Sequence, residues 1–551
     1  MALRRRSLVL LAGTALGLLS YGAYKARTHT ASTEPKKMLP STALLMSGGA
    51  TAAPPSAEAA QYFARITDPG SARKAILAEL IDDLVADGLW AKLDAAWLLA
   101  SDIAGNARVN LKSSSYTLSE NGGLTFTADQ GYQGNGTTGY LSTGYTPSVN
   151  GSQFTQNSAS MGGYVRNSRT TDQLWGLMGC DGNPTGNTSY LYPKVASVGA
   201  IYSLTGGFVA TAVTNAQGMW ISSRTSSTAR ALYRNGSSIT TSSATATGRP
   251  NREVLILASM QDNGTPAGYS GDQVSFAFIG SGLTSAEQLL LTDRVMQYLS
   301  AIAGTLAQIA VFAGQSNSRG VFLTVGDVPG YLRSADSSIK IWSTGSGAFV
   351  TLDNGVNNVV DTTYGTGNWG AEAQFSYLWR QDRPSGTIYI IKTGLIGPLA
   401  ADGSQNDWSP STGEFFATMQ AQVRAAKTAL LAQGIGSKVT DFYWMQGEGD
   451  TVLGLTIAQA YQANLADLAS NVRSQCGGLR TKMIVGRISQ AAAWTDGAAV
   501  RTCQAAYVAS DSRARLVDTD SYPMQGDAIH YTAAGQVSLG ADMYAASKTI
   551  A

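Results

Sequence analysis

Beyond residue 304 the apolar positions fall into short, nearly unbroken runs: "LAQIAVFAG" (306–314), "TIYIIKTG" (387–394), "DFYWMQG" (441–447), "KMIVGRI" (482–488) and "ARLVDTD" (514–520). Runs of that length without polar alternation mark strands covered on both faces. Helically spaced apolar positions fill the intervals over 371–380, 415–431, 457–472, 498–509 and 533–547. Strand and helix in alternation predict an α/β fold, a three-layer (α/β/α) parallel sheet whose functional groups gather at the carboxyl ends of the strands.

Upstream the pattern differs. From about residue 107 to 280, short apolar stretches such as "FVATAVT", "GMWISSR" and "VSFAFIG" recur between turn residues. Asn235-Gly236, between "ALYR" and "SSIT", is a two-residue hairpin turn, because both central positions require positive φ. These features predict an all-β jelly-roll sandwich. Thr284 followed by Glu287 forms a capping box that opens a helix through Leu299, and Ala303-Gly304 closes the module. Before the sandwich, Ile76, Leu77, Leu80, Ile81 and Leu84 have helical spacing; the pattern breaks near Gly88 and resumes as a second short helix over 93–99.

The N-terminus carries Arg4, Arg5 and Arg6 before a charge-poor stretch from Ser7 to Leu19, the layout of a cleaved signal peptide or of a membrane anchor. The expected organisation is therefore a leader or anchor (1–26), a flexible Ser/Pro/Ala-rich linker (27–66), a helical segment (67–104), the sandwich (105–304) and the α/β domain (305–551).

Composition narrows the chemistry. Charged residues are 14% of the 551 and the formal net charge is +2, so no field exists to gather polyanions and nucleic acid is not an expected partner. Cys180, Cys476 and Cys503 have no metal-ligand spacing; pairing of Cys476 with Cys503 and three free thiols are both compatible with the sequence. There are two histidines, His29 and His530. A His-rich metal site is excluded, no cofactor is expected, and imidazole catalysis must use His530.

Three polar stretches follow strands on one predicted sheet edge: "GQSN" (314–317), "YWMQGEGD" (443–450) and "DAIHYTAAGQ" (527–536). A serine becomes a nucleophile when an imidazole takes its proton, and the imidazole needs a carboxylate to hold its tautomer. Ser316, His530 and Asp527 meet those needs.

"FAGQSN", "WMQGEGD" and "DAIH", in that order, resemble the SGNH hydrolase superfamily, within it the sialate O-acetylesterase and acetylxylan esterase group of carbohydrate esterases. The resemblance implies Ser316 as nucleophile, His530 as general base and then acid, and Asp527 as its partner. It implies an oxyanion hole from the N–H of Ser316, the N–H of Gly370 and the side-chain amide of Gln446. Part of the group is thought to use the glutamate of its Gln-Gly-Glu motif as the acid, which maps onto Glu448. "FTADQGYQGNGTTGYLSTGY", "LYRNG" and "FAFIGSGLTSAEQ" resemble a concanavalin-like, laminin-G-like jelly-roll module, implying a glycan-binding or spacer role. Arg319, Trp369 and Trp408 are candidate sugar contacts.

The expected activity is removal of O-acetyl groups from an acetylated polysaccharide through an acyl-serine intermediate. The rival expectations are a non-catalytic glycan-binding adhesin or phage tail fibre protein, and an esterase for a non-carbohydrate acyl ester. The expected location is secreted or cell envelope, with a virion (phage tail) as the alternative; a homo-oligomer is compatible with either.

Overall fold

Seven strands form a mixed sheet in the C-terminal domain, in the order Ala348–Thr351, Ile339–Ser343, Ile388–Gly394, Ala307–Gly314, Ser437–Met445, Lys482–Gly486, Ala514–Val517. The computed structural model describes residues 55–171, 173–182, 186–195, 199–359, 367–401, 403 and 406–550. The expected leader over 1–26, His29 and the expected linker as far as residue 54 lie outside the described residues.

Every pairing in this sheet is parallel except that of Ala348–Thr351, which returns antiparallel from Ile339–Ser343. That edge hairpin adds to the sheet that the apolar runs predict. In the register, Gly314 stands opposite Gly394 on one side and Met445 on the other. Three strands thus end level, and the turns after them share one edge. Helices Ala371–Asp382, Glu414–Ala432, Leu455–Gln475 and Gly497–Ser510 connect the strands and Ala533–Lys548 follows the last of them, each within three residues of the bounds its periodicity predicts.

The N-terminal region contains two largely antiparallel sheets. Asn235 and Gly236 have φ of 49° and 82° and turn Arg230–Arg234 into Ser237–Ser242. One core, including Trp97, Leu141, Met161, Tyr202 and Trp220, draws on both sheets. The opposite face of the sheet holding Ala159–Val165 and Gly218–Arg224 lies under helices Ala57–Phe63, Ser71–Ala86 and Ser285–Ile302, in a second core with Leu77, Ile81, Ile221, Phe278 and Leu291. Both strands are consequently buried along their whole length.

Two sequence expectations need correction. Residues 93–97 are a strand, Leu93–Trp97, antiparallel to Gln273–Gly280, not the start of a second short helix. Ala95, Trp97 and Leu99 face one core while Ala96, Leu98 and Ala100 face the other, so a period of two, set after an irregularity between Leu93 and Ala95, is hidden inside an apolar block. The flexible linker expected over 27–66 also runs too far. Ala57–Phe63 is helical, capped by Ser56 Oγ on the Ala59 N–H at 3.2 Å, and docked through Ala59 and Tyr62. All three cysteines are free thiols, Cys180 and Cys476 buried.

The helix Ser285–Ile302, opened by the expected Thr284–Glu287 box, also joins the two halves. Arg294, 3% exposed, donates from Nε to Asp87 Oδ2 (2.8 Å) and from Nη1 to the Gly477 carbonyl (2.6 Å), with Asp83 Oδ2 at 3.4 Å. Asp83 accepts the Leu479 N–H at 3.0 Å, and Lys427 Nζ pairs with Asp293 at 2.6 Å. Arg294→Met strands two buried carboxylates, so it should lower unfolding free energy by about 3–5 kcal/mol. Denaturant unfolding checks this; a loss below about 1 kcal/mol would mean that water replaces the guanidinium.

Candidate active site

The central strand Ala307–Gly314 ends where only a glycine fits. Gly314 has φ of 134°, and a Cβ there would lie 2.0 Å from the Met445 carbonyl oxygen. The chain enters the four-residue helix Ser316–Arg319, closed by Gly320 in the left-handed region, whose missing Cβ lets it lie against the Trp369 carbonyl. Ser316 is the first residue of this helix, where a backbone N–H has no intrahelical acceptor. Its side chain stands in an almost closed turn, the residue being 7% exposed.

The second component is the loop over 525–532. Asp527 Oδ1 accepts the N–H groups of Ile529 (2.9 Å) and His530 (3.0 Å), while Oδ2 lies 2.6 Å from His530 Nδ1. The loop closes on itself through the Gln525 N–H and the His530 carbonyl at 2.7 Å. Burial pushes the Asp527 carboxyl up, but the His530 ring and the two backbone donors outweigh it and hold the group below the ordinary carboxylate value. With Nδ1 donating to that carboxylate, Nε2 is the nitrogen left to take a proton.

Asn317 ties the two parts together. Its Nδ2 donates to the Ile529 carbonyl (3.1 Å) and to Glu448 Oε1 (3.2 Å), and its Oδ1 accepts the Tyr531 N–H (3.1 Å). Gln536 Nε2 donates to the Asn317 carbonyl at 2.8 Å, and Gln525 Nε2 reaches the Val321 carbonyl at 3.2 Å. The residue next to the serine is therefore bonded to both neighbours of the histidine. The Phe322 and His530 rings meet edge to face, centroids 5.2 Å apart.

Glu448 is 1% exposed and addresses Asn317; its Oε2 has no partner among the described residues. Burial raises its pKa against its own backbone, the Asn317 amide and the charge of His530. The carboxylate that contacts the imidazole Nδ1 is Asp527.

Five expected roles are corrected by the geometry. Gln446 is wholly buried, its Nε2 already given to Asp450 Oδ2 (2.7 Å), Gln315 Oε1 (3.2 Å) and the Gly397 carbonyl (3.2 Å), so it cannot serve an oxyanion. The Gly370 N–H donates to Glu372 Oε1 at 3.0 Å, an acceptor shared with Lys392 Nζ (2.6 Å) and Asn358 Nδ2 (2.7 Å). Arg319, Trp369 and Trp408 are each fully buried and cannot touch a sugar. Arg319 Nε bonds Asn368 Oδ1 at 3.1 Å, while the indoles of Trp369 and Trp408 each donate at 3.0 Å, to the Thr324 and Leu395 carbonyls.

Asn317 and Phe322 are the residues that sequence reasoning missed. Asn317 stands inside the quoted "GQSN", where its side chain is indistinguishable from that of a turn former.

Comparison with known proteins finds likenesses that involve this half of the chain. No match was found among curated proteins. Similar solved structures include a protein from Arabidopsis thaliana, 20% identical, covering 45% of this chain and 100% of that one with a TM-score of 0.37. NanS is 13% identical, covering 44% and 95%, TM-score 0.32. A carbohydrate acetylesterase from Xanthomonas citri is 13% identical, covering 69% and 70%, TM-score 0.31. Residues 307–549 match the model of the carbohydrate esterase, sialic acid-specific acetylesterase family, and it is this family that the C-terminal domain resembles.

Proposed function

We propose that the chain is a serine esterase that removes O-acetyl groups from a polysaccharide. The observation that carries the proposal is the Asn317 bridge: it ties the helix-opening turn of Ser316 to the loop in which Asp527 and His530 are paired at 2.6 Å.

Ser316 Oγ attacks the acetyl carbonyl carbon while His530 Nε2 takes its proton, and the C=O electrons move onto oxygen. The new oxyanion faces the Ser316 N–H, a fixed dipole that needs no reorganisation. When the intermediate collapses, the ester C–O bond breaks and the departing sugar oxygen takes the proton from Nε2. Water then attacks the acyl-serine with His530 as base, and proton return to Ser316 Oγ frees acetate. Asp527 stays ionised throughout and stabilises the imidazolium.

The C-terminal domain is read here as a three-layer SGNH domain and the sandwich as a concanavalin-like jelly roll. Such a module, if it holds glycan, raises the local concentration of acetyl esters near the serine. A secreted, envelope-attached or virion-borne protein acting on a surface polymer suits that arrangement.

The test is acetate release from a panel of O-acetylated polysaccharides, beside esters of longer acyl chains. Release from at least one glycan, with acetate preferred over longer acyl groups, supports the proposal. Equal background rates from wild type and Ser316→Ala would identify a glycan-binding protein instead, and a preference for long acyl chains would identify a different esterase.

A further inference from the structure

Phe322 lies six residues beyond the nucleophile, in a conformation that costs energy and with a side chain that folding does not use. Its φ is +69°, the left-handed region that a bulky side chain rarely occupies. Its neighbours Val321 and Leu323 are buried at 5% exposure each, whereas Phe322 is 65% exposed. Glycine would hold this backbone without strain, and phenylalanine here leaves most of its apolar surface in water. Its ring contact is with His530.

The proposed reaction says what belongs beside that imidazole. The leaving oxygen collects its proton from His530, so the alcohol portion of the ester, here the sugar, must lie next to the ring that Phe322 touches. A pyranose presents a face of C–H bonds, and the negative face of an aromatic ring attracts it. We infer that Phe322 is the platform on which the sugar ring of the substrate stacks, and so a determinant of glycan esters over simple esters; this inference rests on the esterase reading above.

Two esters separate the roles: an O-acetylated oligosaccharide, and ethyl acetate, whose alcohol has no ring. In Phe322→Gly the ratio of kcat/KM for the first to the second should fall about five- to tenfold, mainly through KM of the oligosaccharide. Phe322→Trp should restore it. The glycine variant should also melt at a higher temperature, because the strain is gone; a merely structural phenylalanine would give the reverse. An unchanged ratio, or an equal loss on both esters, overturns the inference.

Calorimetric binding of the uncleaved oligosaccharide to Ser316→Ala keeps the test independent of catalysis. Adding Phe322→Gly should weaken binding by a similar factor, and equal binding overturns the inference. If wild type and Ser316→Ala release acetate equally from both esters, it is the esterase reading that fails.

Discussion

Ser316→Ala is expected to lower kcat for acetyl-ester hydrolysis by about 10⁴- to 10⁶-fold while the protein remains folded. The size follows from the way nucleophile, base and carboxylate act as one unit: without Oγ there is no acyl-enzyme, and His530 has no bound proton donor to work on. The fold should tolerate the change, because Oγ makes no hydrogen bond among the described residues; the turn is held by Asn317 and by Gly314 and Gly320. Rates of acetate release, with circular dichroism to confirm folding, give the magnitude. Intact-mass measurement gives the chemistry: a slowly deacylating ester should add one acyl group to wild type and none to the variant. A variant within tenfold of wild type would remove the acyl-serine mechanism altogether.

The second large effect concerns the acid partner. Asp527→Asn should reduce kcat by about 10⁴-fold, since an amide can present its N–H to Nδ1 and favour the wrong tautomer. Glu448→Gln should stay within about tenfold of wild type, because its amide oxygen can still accept from Asn317 Nδ2. The reverse ranking would transfer the acid role to Glu448. The depressed Asp527 pKa sets the sign of the pH dependence. A carboxyl whose folded value lies below its unfolded one contributes stability that is present above the ordinary carboxylate value and lost as pH falls through the lowered one. Wild type should therefore lose stability relative to Asp527→Asn as pH falls through that window and no further below it, as thermal unfolding against pH will read out.

Much of the C-terminal half was legible because its apolar runs and helical stretches differ in period, and because a single histidine beyond the N-terminal region left little choice for a proposed base. Strand ends and the order of "GQSN", "QGEGD" and "DAIH" follow from that pattern. Interior and rim, by contrast, are not written in residue type. Trp369, Trp408 and Arg319 have the chemistry of sugar ligands, yet their N–H groups are consumed by carbonyl and amide oxygens inside the domain. Gly370 carried a legible warning: Glu372, in the first turn of the helix that follows, is placed to accept the free N–H groups of that terminus. Gln446 was harder to read, since only Asp450 lies in its own stretch and the other two acceptors, Gln315 and the Gly397 carbonyl, come from distant parts of the chain. The strand at Leu93–Trp97 was hidden because its faces are both apolar, and only the presence of two cores distinguishes them.

The charged seam around Arg294 bears on how such a chain can be inherited. Lys427, Lys438, Gly477 and Leu479 lie in the C-terminal half, but their counterparts Asp293, Glu79, Arg294 and Asp83 lie in helices encoded before it. A gene fragment starting at the strand Ala307–Gly314 would carry away dehydrated amines and amides whose partners stayed behind. Recombination can thus exchange this C-terminal domain only as a set with the preceding helices, and those helices bring with them the sheet that they cover.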